Sequence, residues 1–156
     1  MSGLLFELRQ RFLEKAINLY GPFLGAGVKL EEMSKDYRYA KVSMPLTFYN
    51  KNYMGTQFGG SLYSMVDPWY MLMLIKNLGH EYIVWDKAAT IHFKKPGKGR
   101  VHAEFKLDHE VLESIKITVE EQTKMDYVFK VLILDEEKKL ICEVDKVVYI
   151  RKKTKA

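Results

Sequence analysis

Residues 58–79 read FGGSLYSMVDPWYMLMLIKNLG. From Leu62 to Ile75 the only charged side chain is Asp67, and a helix that is apolar on every side is one the rest of its domain must bury. The run falls short of the about 20 apolar residues that cross a bilayer, and it carries a carboxylate, so no membrane span is expected. Pro68 lacks an N–H and removes one hydrogen bond from any helix continued through it, so the axis should kink at Asp67-Pro68. Gly59-Gly60 opens the run and Gly79 closes it.

Outward from this helix the pattern turns to strand. On the N-terminal side, residues 26–33 and 37–44 read as a hairpin, with a period of two in YRYAKVSM and Pro45 as its end. Before it, Leu4, Leu5, Leu8, Phe12, Ala16 and Leu19 recur at helical spacing, which predicts an amphipathic helix over 4–20 that Gly21-Pro22 stops. On the C-terminal side, 82–95, 100–107, 127–134 and 140–150 are rich in β-branched and aromatic residues. The turn Pro96-Gly97-Lys98-Gly99 separates the first two. Residues 109–123 place Val111, Leu112, Ile115 and Val119 at helical spacing after Asp108, a candidate N-cap. Many strands and one apolar helix predict an α+β fold, a curved antiparallel sheet wrapped around a central apolar helix, with an extra N-terminal helix.

At 156 residues the chain is expected to form one domain spanning 1–156: helix 4–20, core 26–150 and a basic tail 151–156. Hydrophobic residues make up 47% of it, enough for a core without metals or disulfides. Its one cysteine, Cys142, has no internal partner, which points to a reducing, cytoplasmic setting. Charged residues interrupt the apolar ones in MSGLLFELRQRFLEK, so no signal peptide is expected. The formal charge of +5 is concentrated in Lys94, Lys95, Lys98 and Arg100 around one turn, and in Arg151, Lys152, Lys153 and Lys155. No nucleic-acid motif accompanies either cluster, and solvated lysines on a turn and a frayed tail explain both. The histidines (80, 92, 102, 109) lack metal-ligand spacing, so no metal site is expected. No Gly-x-Ser-x-Gly elbow is present.

Asn52, Gly55-Thr56, Gly59-Gly60 and Asp67 stand in an order and spacing that resembles the active-site segment of hotdog-fold acyl-CoA thioesterases of the phenylacetic-acid-pathway type. FGGSLYSMVDP followed by VWDKAATIHFKKPGKG is most similar to an uncharacterised branch of that superfamily. The resemblance implies a hotdog fold, a homodimer or homotetramer, and a site shared between chains, with Asn52 and Gly59-Gly60 facing Asp67 of the partner subunit. It implies no cofactor beyond coenzyme A as part of the substrate, and small acyl thioesters as ligands. In one respect the chain departs from the pattern: Phe58 stands where the better-known enzymes carry histidine.

The residues themselves admit two uses each. The first N–H groups of a helix are unpaired and carry the positive end of its dipole, and glycines let a ligand approach them, so Gly59 and Gly60 could form an oxyanion hole. They could equally be a tight helix entry where two backbones touch. Asp67, in apolar surroundings, could serve as a base or nucleophile, or as the N-cap of a helix starting at Pro68. Asn52 could orient a water or a carbonyl, or simply make a turn. Asp86 stands where relatives carry Ser or Thr; it is either a second carboxylate near Asp67 or the partner of Lys87 or Lys41. Tyr63, Met65, Trp69, Tyr70, Met71 and Met73 read as core, some of them lining an acyl channel. Lys94, Lys95, Lys98 and Arg100 are candidate contacts for the coenzyme's phosphates. Two functions follow: hydrolysis of an acyl thioester through a carboxylate and a helix N-terminal oxyanion hole, or binding of an acyl or acyl-CoA ligand without turnover.

Overall fold

The computed structural model describes residues 16–153. The helix expected over 4–20 lies mostly outside them; residues 16–18 are helical. Gly21-Pro22 does not end in a loop. It opens a short helix, α1 (Gly21–Ala26), because proline fits a first turn whose N–H would be unpaired anyway. Gly27, at φ 79°, closes α1 in the left-handed region. The hairpin follows as β1 (Lys29–Met33) and β2 (Tyr39–Met44).

The central apolar run forms two helices, α2 (Gly59–Ser64) and α3 (Trp69–Leu78), broken over Met65–Pro68. Then come β3 (Tyr82–Phe93), β4 (Val101–Lys106), α4 (His109–Gln122), β5 (Lys124–Asp135) and β6 (Leu140–Lys152). The strands make one sheet in the order β1-β2-β4-β5-β6-β3, each neighbour antiparallel. The curved sheet holds the helical segment 59–78 against its concave face.

Alternation explains the core. Cys142, Val144, Lys146, Val148 and Ile150 of β6 share its buried face with Phe129, Val131 and Ile133 of β5 and Val101, Ala103 and Phe105 of β4. Trp69, Met73 and Leu74 of α3 fill it from the other side. Tyr70 stacks on Phe129 with ring centroids 3.9 Å apart and meets Phe105 edge-on. The central helix is not covered all round, however: Ile75 and Lys76 face solvent. Nor is 151–152 a frayed tail. Arg151 and Lys152 continue β6, and Lys152 pairs with Glu120 of α4.

Candidate functional site

A rigid loop delivers the glycines. Asn50 is buried; its Nδ2 donates to Ala26 and Pro45 carbonyls, and its Oδ1 accepts from Thr47 N–H. Gln57, also buried, ties the loop to the 96–99 turn: its N–H donates to Gly97 O and its Nε2 to Gly99 O. Asn52 proves to be a turn residue. Its Oδ1 accepts from Met54 and Thr56 N–H, and its Nδ2 donates to Thr56 Oγ1 and Gln57 O, which uses its whole hydrogen-bonding capacity. It shapes the site without offering it a free donor.

Gly59 and Gly60 begin α2, so their N–H groups have no intrahelical acceptor. What crowds them is not a second backbone. A Cβ on Gly59 would stand 3.0 Å from the Phe93 ring, and one on Gly60 2.5 Å from the Phe58 ring. Asn52, Thr56, Gln57, Gly59, Leu62, Phe93, Lys94 and Lys95 line one open groove of about 380 Å³. The basic turn therefore divides. Lys94 lines this groove, Lys95 lines both it and a second cleft, and Lys98 and Arg100 line only that second cleft, with Asp135, Glu136 and Glu137. Arg100 also donates to Ser43 Oγ at 3.1 Å. The four basic residues therefore do not face one groove.

The carboxylates gather elsewhere. Asp67 sits in the break between α2 and α3 and does not cap α3. The N-cap is Pro68, with no side-chain capping bond, while the Trp69 indole N–H binds Met65 O at 2.8 Å and fastens the break. Asp67 Oδ1 instead lies 3.1 Å from Lys146 Nζ, and Asp86 Oδ1 lies 3.2 Å from the same nitrogen. Lys146 Nζ also donates to Tyr63 Oη at 3.3 Å and stands 5.2 Å from that ring's centroid. Asp86 is not the partner of Lys87 or Lys41, which pair with Asp126 and Glu31. A bulge between Asp86 and Ala88 puts Lys87 out of register; Asp86 keeps the core-facing side opposite Val148.

Exposure grades the three charges: side chains are 46% exposed at Asp67, 20% at Asp86 and 0% at Lys146. Burial pushes the Asp86 carboxyl up, against the pull of Lys146, and the Asp67 charge adds to the rise. Burial alone would draw the Lys146 ammonium down, but Asp86 and Asp67 outweigh it and hold it above the usual lysine value. Tyr63 is likewise raised, chiefly by burial. A buried ammonium between two carboxylates and a phenol is a fixed counter-ion; the half-exposed Asp67 is the member that can meet water or a ligand.

Sequence reading missed Lys146 and took Tyr63 for plain core. The signal was present: in LICEVDKVVYI a lysine occupies the alternation otherwise held by Cys142, Val144, Val148 and Ile150. A cation on the apolar face of a strand requires buried anions.

The family described as "Domain of unknown function (DUF4442)" matches residues 9–150. No curated protein matches the chain. Among solved structures, a Pseudomonas aeruginosa protein of unknown function, described as a probable thioesterase, superposes with a TM-score of 0.79 at 20% identity, covering 92% of this chain and 96% of that one. A Haemophilus influenzae thioesterase gives 0.65 at 14% identity, over 90% and 88%. A Chlorobaculum tepidum protein of unknown function gives 0.71 at 18%, over 92% and 94%. At these identities the likeness establishes the fold, which is the hotdog fold. Among the described residues no helix is long and apolar enough to cross a membrane.

Proposed function

We propose that this chain, which belongs to the DUF4442 family, is an acyl-thioester hydrolase whose site is completed by a second copy of itself. The observation that carries this reading is the layout of β3. Asp86, the fifth of its 12 residues, has Asp67 beside it across Lys146, and Gly59 rests on Phe93 at its C-terminal end. Gly59 and Asp67 stand eight residues apart on one helical segment, about 12 Å at roughly 1.5 Å per residue. One protomer therefore cannot apply the glycine N–H groups and Asp67 to the same carbonyl.

An antiparallel dimer removes the difficulty. Strand β3 ends the sheet, has 12 residues and exposes Lys87–Thr90 along its middle. The other outer strand, β1, has 5 residues and is bulged. A long open edge is a template for pairing. A two-fold axis between Ala89 and Thr90 sets Asp86 opposite Phe93 of the partner subunit, and so brings Asp67 towards the Gly59 groove across the interface.

The chemistry then follows. Asp67 takes a proton from water as its oxygen bonds to the thioester carbonyl carbon. The N–H groups of Gly59 and Gly60 receive the oxyanion beside the Phe58 and Phe93 rings. Collapse breaks the C–S bond, and the departing thiolate recovers the proton from Asp67. Lys94 and Lys95, on the rim of the groove, offer charge to the phosphates of coenzyme A, which enters as part of the substrate.

The second reading, an acyl-binding protein without turnover, draws on Phe58. This residue supplies no hydrogen bond where the resemblance places histidine, and its ring lies over Gly60. A thioester hydrolysis assay across acyl chain lengths, run beside equilibrium binding of the same thioesters, separates the two. Turnover that grows about tenfold or more in Phe58→His supports the hydrolase. Tight binding with no turnover in either protein establishes the binder.

A further inference from the structure

We infer that Lys146 is a positioning residue of this site: its ammonium, sealed beneath Asp67, Asp86 and Tyr63, allows two carboxylates to stand together and holds Asp67 towards the open side. The inference rests on the reading of Asp67 as the acting carboxylate.

The geometry excludes simpler roles. Lys146 is fully buried, so it meets neither substrate nor water. As an ammonium it has no lone pair, so it is no nucleophile. A surface ion pair would add little to stability and would not be set into an apolar strand face between Val144 and Val148. What the position does provide is a charge within 3.2 Å of both carboxylates, contributed by a rigid strand. It also provides a short route to the phenol of Tyr63, one turn before Asp67 on the helical segment.

Around this nitrogen the titratable groups are Asp67 from the α2–α3 break, Tyr63 from α2 and Asp86 from β3; Lys130 and Asp145 pair with each other on the opposite face of the sheet. With Lys146 in place the cluster carries one excess negative charge. Without it, two neighbouring carboxylates share a proton at a pH where each alone would have lost it. The base would then be lost from the acid side upward.

The test is the pH dependence of kcat/KM for thioester hydrolysis by the full chain, with carbon-detected carboxyl titration of Asp67 and Asp86 alongside. In Lys146→Met the acid limb should move up by about one unit or more, so that the rate falls about tenfold at pH values on the parent's own acid limb and reaches the parent's plateau only at higher pH. Adding Asp86→Asn to Lys146→Met should return the limb towards the parent position, since one carboxylate no longer has a neighbour to repel it. Asp86→Asn alone leaves Lys146 to Asp67 and should move the limb below the parent's, a result that does not depend on Lys146→Met folding. A loss equal at every pH, or limbs unmoved in all three variants, overturns the inference while leaving the hydrolase reading standing. If the parent hydrolyses no thioester, the hydrolase reading fails, and the carboxyl titration alone decides whether Lys146 is the counter-ion: a higher midpoint in Lys146→Met supports it, an unchanged one refutes it.

Discussion

Asp67 and Lys146 stand 79 residues apart in the chain and 3.1 Å apart in space. That contact binds the break in the central helix to the sheet, and it takes Asp67 away from one of the two uses that the sequence left open, the helix cap. An aspartate before Pro68 has the makings of an N-cap, but here its oxygen faces a strand lysine and makes no capping bond.

Substitution should reflect this. Asp67→Asn and Asp67→Ala should lower the melting temperature by similar amounts, since each takes one anion from a fully buried ammonium that keeps Asp86. The about 0.5–2 kcal/mol penalty of a lost cap should be absent from the alanine variant. Hydrolysis should fall roughly a hundredfold or more in both. Thermal unfolding together with kcat/KM checks the pair. An alanine variant markedly less stable than the asparagine one would restore the cap, and an asparagine variant as active as the parent would move the base to Asp86.

Asp86 carries its own signature in stability. Its carboxyl is pushed up in the folded chain, first by burial. The folded state therefore holds that proton to higher pH than the unfolded state does. The contribution is fully present below the ordinary aspartate value and is lost as pH rises through the folded one. Asp86→Asn, which does not titrate, should gain on the parent between pH 3.5 and pH 7. Denaturant unfolding at the two pH values measures the difference. A gain that shrinks as pH rises would show that Lys146 outweighs burial at Asp86.

How far the sequence reached can be seen in these same residues. Alternation in 37–44, β-branched and aromatic composition in the later strands and helical spacing at 109–123 located these elements among the described residues, because each is a local mark of the face it buries. The kink at Pro68 was legible because proline breaks a helix whatever surrounds it. The destination of Asp67 was not, since a cap is a local bond and the pair with Lys146 is a tertiary one. The bulge at Lys87, which leaves Asp86 facing inward and sends Lys87 to Asp126, has no local mark in VWDKAAT. The division of the basic turn was equally hidden: Lys95 and Lys98 are three residues apart, yet only Lys95 reaches the groove beside Gly59.

Cys142 lies on the buried face of β6, fully covered, and burial pushes its thiol up to about 11. A thiolate is the reactive form, so the native chain should resist alkylation at pH 8. Labelling should follow global unfolding, with rates that rise steeply through the denaturant transition. Stoichiometric labelling of the native protein within minutes would show that the β6 face opens locally.

The composite site makes activity depend on protein concentration. If Gly59 of one chain and Asp67 of another act on one carbonyl, a lone protomer holds all the residues but cannot bring them together. Light scattering at micromolar concentration should therefore find a dimer or a tetramer, and the rate per chain should be constant there. On dilution below the dissociation constant of the β3–β3 contact, the rate per chain should fall in proportion to the dimer remaining. Mixing supplies an independent check. Asp67→Asn alone leaves every site without its base, and Gly60→Val alone crowds every oxyanion hole, since a Cβ there would stand 2.5 Å from the Phe58 ring. A heterodimer of the two pairs the intact glycines of one chain with the intact carboxylate of the other and regains one whole site of two. Mixed at equal concentration and allowed to exchange, the two inactive proteins should recover about a quarter of the parent rate, because about half the dimers are mixed and each carries one working site. A monodisperse monomer that hydrolyses thioesters at full rate, or a mixture that stays inactive after subunit exchange, would place the whole site within one chain.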